Sequence, residues 1–278
     1  MAPAWKTRVD ALLQDRSLRD PDQLGRRIEV LEQLESWIVH DVLPPSLRPS
    51  SEALMAELES VNHQLFQSIR HAIRHGEGAE TLRTWVASLH RSSAEGEGYG
   101  PLDTLISGVL DFEEPPDALE LAPEMVFYQP TPAQDIFDFI DQASLTPQDV
   151  VMDLGAGLGH VTLLTAICSR ARCVGIELQP AYVSGAGQCA EKLQVHNAQF
   201  IAQDVREADM SDGTMFYLYT PFTGGILRTV LDMLRREAES RAIRVCTLGP
   251  CTDVVASESW LRLDGAWGAK RTALFRSL

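Results

Sequence analysis

Residues 150–164 read Val150-Val-Met-Asp-Leu-Gly-Ala-Gly-Leu-Gly-His-Val-Thr-Leu-Leu164. A short apolar run enters three glycines at alternate positions, Gly155, Gly157 and Gly159, and helix-forming residues follow. Glycine lets a backbone turn tightly and come close to a ligand. The stretch therefore predicts a strand, a ligand-approaching loop and a helix. Downstream, the spacing predicts strands at 172–176, 198–202, 214–219 and 243–248, separated by helices at 181–194 and 224–238. Strands alternating with helices indicate a parallel sheet covered on both faces. The last segments, 260–264 and 272–276, flank a Gly-containing turn and suggest a C-terminal antiparallel hairpin.

Upstream of residue 120 the period is helical. Leu24, Ile28, Leu31, Leu34, Ile38 and Val42 recur three and four apart, with Arg27, Glu29, Glu32 and Glu35 between them. That pattern is an amphipathic helix over 21–43, which Pro44-Pro45 should end. Leu54, Leu58, Val61, Leu65, Ile69 and Ile73 predict a second helix, closed by Gly76. Leu82, Val86 and Leu89 mark a third over 79–91, and a short helix is expected at 102–111. Residues 95–101 and 113–117 look like a loop and a linker. The expected organisation is a helical N-terminal domain over 1–120, covering the site or forming a homodimer, and an α/β domain over 121–278.

The spacing in the glycine loop discriminates among ligands. A dinucleotide fingerprint needs G-x-G-x-x-G or Ala at the last position. Here the pattern is G-x-G-x-G, and His160 stands where the third small residue should be. A phosphate-binding P-loop needs a Lys that is missing here. Asp153, two residues before the first glycine, suits a cationic group such as an ammonium or a sulfonium. Glu177, ending the second strand, can accept from two ribose hydroxyls. Asp204, after the third, can accept from an adenine amino group while Val205 covers the ring.

These residues resemble class I S-adenosylmethionine-dependent methyltransferases. Asp153-Leu-Gly-Ala-Gly-Leu-Gly159 is similar to the first motif, Gly175-Ile-Glu177 to the second and Gln203-Asp204-Val205 to the third. The resemblance covers about residues 125–278. It implies a Rossmann-like seven-strand sheet with a C-terminal antiparallel hairpin, and S-adenosylmethionine as cofactor, leaving as S-adenosylhomocysteine. Cofactor contacts expected on this basis are Asp153, Gly155, Ala156, Gly157, Gly159, Glu177, Leu178, Asp204 and Val205. A narrower likeness joins Met125-Val-Phe-Tyr-Gln-Pro-Thr-Pro132 to the segment ahead of the first motif in seven-strand lysine methyltransferases. It would make Tyr128 and Thr131 cofactor contacts.

The acceptor side is less explicit. Tyr219-Thr-Pro-Phe222 resembles the motif of an Asp or Asn, two prolines and an aromatic residue that amino-methylating relatives carry, but Thr220 replaces the amide or carboxylate and one proline is missing. Tyr219 and Thr220 are the candidate catalytic residues, and Phe222 and His160 the candidate acceptor-pocket residues. Tyr217 should share a strand face with Tyr219. The reading is methyl transfer to an oxygen or nitrogen, leaning to a small molecule. The alternatives are a protein-lysine methyltransferase, a non-catalytic S-adenosylmethionine-binding module and a nicotinamide-dependent reductase.

Composition narrows the partners. The 278 residues carry 24 Lys and Arg against 39 Asp and Glu, a formal charge of −15, and the first 120 alone hold 11 against 21. Such a surface repels phosphate backbones and anionic lipid, so neither a nucleic-acid nor a membrane partner is expected. No run of about 18 apolar residues occurs, and residues 1–10 show no apolar leader. Five cysteines in apolar settings (168, 173, 189, 246, 251) read as reduced thiols, so a cytoplasmic protein is expected. No metal site is expected: His71 and His75 lack a third ligand, and the Cys246 and Cys251 spacing fits no zinc motif. Arg235, Arg236, Arg241 and Arg244 read as a solvated basic face.

Overall fold

The structure is a computed structural model and describes residues 2–90, 99–113, 124–126, 128–265 and 272–278. Most of the expected 95–101 loop, most of the 113–117 linker and the turn of the C-terminal hairpin lie outside these residues. Ten α-helices are described: α1 Ala2–Gln14, α2 Leu24–Val39, α3 Arg48–Arg74, α4 Gly78–His90, α5 Pro101–Leu110, α6 Ala133–Ala143, α7 His160–Cys168, α8 Pro180–Leu193, α9 Gly224–Ala238 and α10 Cys251–Ala256. Seven strands form one sheet: β1 Val150–Leu154, β2 Arg172–Glu177, β3 Ala198–Ala202, β4 Met215–Tyr219, β5 Arg244–Leu248, β6 Leu261–Leu263 and β7 Ala273–Ser277. Among the described residues, no helix is long and apolar enough to cross a membrane.

The sheet order is β3-β2-β1-β4-β5-β7-β6. The first five strands run parallel, and β7 pairs antiparallel with both β5 and β6. The expected α/β, Rossmann-like architecture and closing hairpin are therefore observed. The order reverses between β1 and β4, which opens a crevice beyond their carboxyl ends. Alternation along each strand splits the core. Val151, Met215, Tyr217 and Cys246 join one apolar cluster, while Met152, Leu154, Phe216, Leu218 and Val245 join another beneath α9.

The first cluster does not stop at the sheet. It runs through Phe137, Ile140, Val161 and Leu164 of α6 and α7 into Leu24, Ile28, Leu65, Ile69, Leu82 and Leu105 of α2–α5. Gly76, at φ 81°, ends α3 as anticipated. Three expectations for α2 and the arginines need correction. Helix α2 stops at Val39, ahead of Pro44, because Asp41 turns into the left-handed region at φ 53°, and Val39 and Val42 are exposed. Arg27 is fully buried instead of solvated: it donates to Asn62 Oδ1 at 2.6 Å and to the carbonyls of Leu18, Asp20 and Pro21. Arg241 and Arg244 do not belong to a solvated face. Arg241 donates to the Met210 carbonyl and Glu237, and Arg244 to Asp149 (2.7 Å) and the Ala143 carbonyl.

Candidate cofactor and acceptor site

The chain between β1 and α7 is held from below by β2. The amides of Gly155 and Ala156 both donate to the Ile176 carbonyl, at 2.9 and 3.0 Å. Glu177 then clamps the loop: Oε2 accepts from the Gly157 amide (2.9 Å) and Oε1 from the Gln179 amide (2.8 Å). One lone pair per oxygen is engaged, and the carboxylate edge lines the crevice. Gly157, at φ 54°, lies flat under the Tyr128 ring, and any Cβ there would collide with that ring. The sequence signal of alternating glycines is thus a packing demand as well as a dihedral one.

Asp153 is 4% exposed and accepts a 2.9 Å hydrogen bond from the Thr162 hydroxyl. Burial raises its carboxyl to about 7, against the Thr162 hydrogen bond and with added repulsion from Glu177. A buried acid of this kind is a receptor for positive charge: a cation beside it would restore its ionised form. Asp204 is differently engaged. Its two oxygens accept from the backbone, Nε and Nη2 of Arg206, the shortest contact being 2.6 Å. That ion pair holds its pKa below the ordinary value. The expected adenine contact would have to share the carboxylate with Arg206, a residue sequence reading did not single out. Val205 is buried beside it and Leu178 is 44% exposed at the rim.

Opposite the strand ends runs a wall made by Met125, Val126 and Tyr128–Thr131. Tyr128 stacks 5.1 Å from Tyr182, and a 3.2 Å hydrogen bond joins its hydroxyl to His160 Nδ1. Burial lowers His160 to about 4 and raises Tyr128, so both groups are neutral at physiological pH. His160 also packs 4.8 Å from Phe112. The helical half reaches this wall directly. The Tyr99 hydroxyl donates to the Pro130 carbonyl (2.6 Å), and Asp103 Oδ1 accepts from the Ala133 amide (2.7 Å).

On the acceptor side, Tyr219 is partly buried at the crevice and Phe222 is 5% exposed. Tyr217 is fully buried, 5.0 Å from Phe139, and faces core instead of cavity. The proposed part for Thr220 in catalysis is corrected by its bonding. Its hydroxyl donates to the Leu248 carbonyl (3.0 Å) and accepts from the Cys251 amide (3.1 Å), while its backbone sits at φ 37°. It braces the turn and has no free proton for an acceptor. The cleft volume, about 700 Å³, falls within the range of roughly 300–1,000 Å³ usual for small-molecule and cofactor sites. Among the described residues, no group of three or more His, Cys, Asp or Glu is placed to hold a metal.

Residues 145–219, which span β1 to β4 and the strand-end carboxylates Asp153, Glu177 and Asp204, match a family model described as a methyltransferase domain. Over that stretch the chain is similar to a methyltransferase domain. Within it, Asp153, Glu177 and the Gly155–Gly159 loop fit a ligand with a cationic end and vicinal hydroxyls. A protein of Lactiplantibacillus plantarum described as an uncharacterized RNA methyltransferase is 30% identical over 113 residues. The match covers 39% of this chain and 24% of that relative, so the chain spans about a quarter of its length. Among solved structures, an RNA methyltransferase from Salinibacter ruber in complex with S-adenosyl-L-homocysteine aligns at 25% identity and TM-score 0.43, over 54% of this chain and 92% of that one. A precorrin-6y C5,15-methyltransferase from Geobacter metallireducens aligns at 16% identity and TM-score 0.42, over 57% and 92%.

Proposed function

We propose that this protein transfers the methyl group of S-adenosylmethionine to an oxygen or nitrogen of a small molecule. The observation that carries the reading is one cavity with two chemically distinct sides. Asp153, Glu177 and Asp204 stand at successive strand ends on one side, and Met125, Val126, Phe222 and Ile226 give the other an apolar lining. The cofactor supplies an electrophilic methyl group on a sulfonium that leaves as a neutral thioether. The protein's part is alignment and exclusion of water. Asp153 would meet the cationic end, Glu177 would hold the ribose hydroxyls, and Tyr128, pinned by His160, would close the methionine side. Tyr219 and Phe222 would wall the acceptor so that its lone pair lies in line with the methyl group.

The name of the Lactiplantibacillus plantarum relative favours a second reading, RNA as acceptor. Charge argues against it. Arg206 is the one cation among the described cavity-lining residues and is already paired with Asp204, and a chain at −15 gains little from counterion release. Titration calorimetry with S-adenosylmethionine, S-adenosylhomocysteine and NAD in parallel tests the cofactor: micromolar binding of the first two and none of NAD is expected. Transfer of labelled methyl into a cell extract, separated into small-molecule, protein and RNA fractions, tests the acceptor. Label in the small-molecule fraction is expected. Ribonuclease-sensitive label would establish RNA, and protein-bound label the lysine alternative.

A further inference from the structure

The residues just ahead of Tyr128 are fastened to the opposite rim of the cavity. Glu124 adopts φ 73°, an unfavourable region for a side-chain-bearing residue. Its carboxylate accepts from the amides of Gly225 (3.1 Å) and Ile226 (3.3 Å), in the first turn of α9. Its carbonyl accepts from the Thr223 amide at 2.9 Å. Met125 forms an isolated antiparallel bridge with Phe222, and the Val126 amide donates to the Pro221 carbonyl at 3.3 Å. Gly224 is shaped for this contact. It sits at φ 55°, and a Cβ on it would occupy the place of the Glu124 carboxylate. Strain of this kind persists where surrounding bonds over-determine it.

At its other end the same strap is tied to the glycine loop, through the Tyr128 ring on Gly157 and the hydrogen bond to His160. The cavity lies between the two fastenings. We infer that Glu124 is a positioning residue that locks the 220–223 turn and Tyr128 into one frame, and thereby sets how long the cofactor stays bound. A carboxylate suits the task, because the first turn of a helix presents unpaired amides and the positive end of its dipole. Glu124 touches no reacting group. Losing it lets the strap swing away from α9 while the strand-end carboxylates stay in place. The inference rests on the reading that this cleft holds S-adenosylmethionine.

The test is the release rate of labelled S-adenosylmethionine from the full chain, chased with unlabelled S-adenosylhomocysteine. It compares wild type with Glu124→Gln, Glu124→Asp and Gly224→Ala. Arg228→Gln serves as a control, since it removes ion pairs from α9 to Asp232 and Glu258 away from the strap. Losing a hydrogen bond to a charged group should speed release about tenfold in Glu124→Gln and Gly224→Ala, with Glu124→Asp intermediate and Arg228→Gln at the wild-type rate. KM for the cofactor should rise more than kcat falls. Unchanged release in Glu124→Gln, an exposed substitution that leaves the core intact, would overturn the inference, as would an equal increase in Arg228→Gln. Wild-type protein that binds neither sulfur compound would overturn the reading of the cleft, and the inference with it.

Discussion

Asp153→Asn removes one buried charge and should change how stability depends on pH. The Asp153 carboxyl is held near 7 in the folded protein and titrates near 3.9 in an unfolded chain, a preference for the protonated form of about 4 kcal/mol. The folded state therefore binds the extra proton between those values. Wild-type stability falls by about 1.4 kcal/mol per pH unit as the pH rises from about 4 through 7, then levels off. The variant keeps an oxygen that can accept the Thr162 hydroxyl and has no titration to lose. Comparing the two proteins cancels every other ionisation they share. Between pH 5 and pH 8 the variant should gain roughly 3 kcal/mol on wild type, or about 6 °C in melting temperature for a chain of this size. Thermal denaturation of the cofactor-free proteins at half-unit pH steps measures it. A difference in melting temperature that stays flat across this range, or that narrows as pH rises, would refute the account of Asp153. The same carboxyl should tie cofactor affinity to pH: wild-type affinity for S-adenosylmethionine rises up to about pH 7, and that of the variant does not.

Glu177→Gln should weaken S-adenosylhomocysteine binding by roughly 2–3 kcal/mol in calorimetry, since one amide clamp and the charged ribose acceptor go together. Thr220→Val should cost about 2–4 kcal/mol in urea denaturation, because the two buried hydrogen bonds of its hydroxyl are lost and the Leu248 carbonyl and Cys251 amide are left without it. Thr220→Ser should stay close to wild type in both stability and turnover. Arg244→Met should lower stability by about 1–3 kcal/mol, since Asp149 loses its ion-pair partner while keeping Thr146 and Thr214, and the Ala143 carbonyl loses its guanidinium donor, and should leave cofactor affinity unchanged.

What could be read from the sequence was whatever local geometry alone demands. Gly155, Gly157 and Gly159 announce their loop because each adopts positive φ, and the acidic strand ends follow at spacings that a βαβ unit imposes. The helix over 224–238 and the antiparallel hairpin were legible from period and turn residues. Arg27 was not, because its partners, Asn62 and three carbonyls from 18–21, are assembled by folding and carry no pattern around residue 27 itself. Thr220 misled for the same reason: its partners come from Leu248 and Cys251 across β5. Arg206 lay within reach, since an arginine two residues after an aspartate at a strand end is placed to fold back on it. Glu124 was beyond it, as its two amide donors come a hundred residues later.

The apolar cluster that joins α2–α5 to α6, α7 and the sheet has a consequence for synthesis. A chain emerging from the ribosome completes its helices early, yet Leu24, Ile28, Leu65, Ile69 and Leu82 share their cluster with Val151, Val161 and Met215, which arrive much later. Until β4 is made, the nascent helices expose a greasy stripe, the kind of surface that recruits chaperones and drives aggregation. Truncations that stop before β4 should therefore be recovered as inclusion bodies, whereas the finished chain should unfold in a single transition shared by helices and sheet.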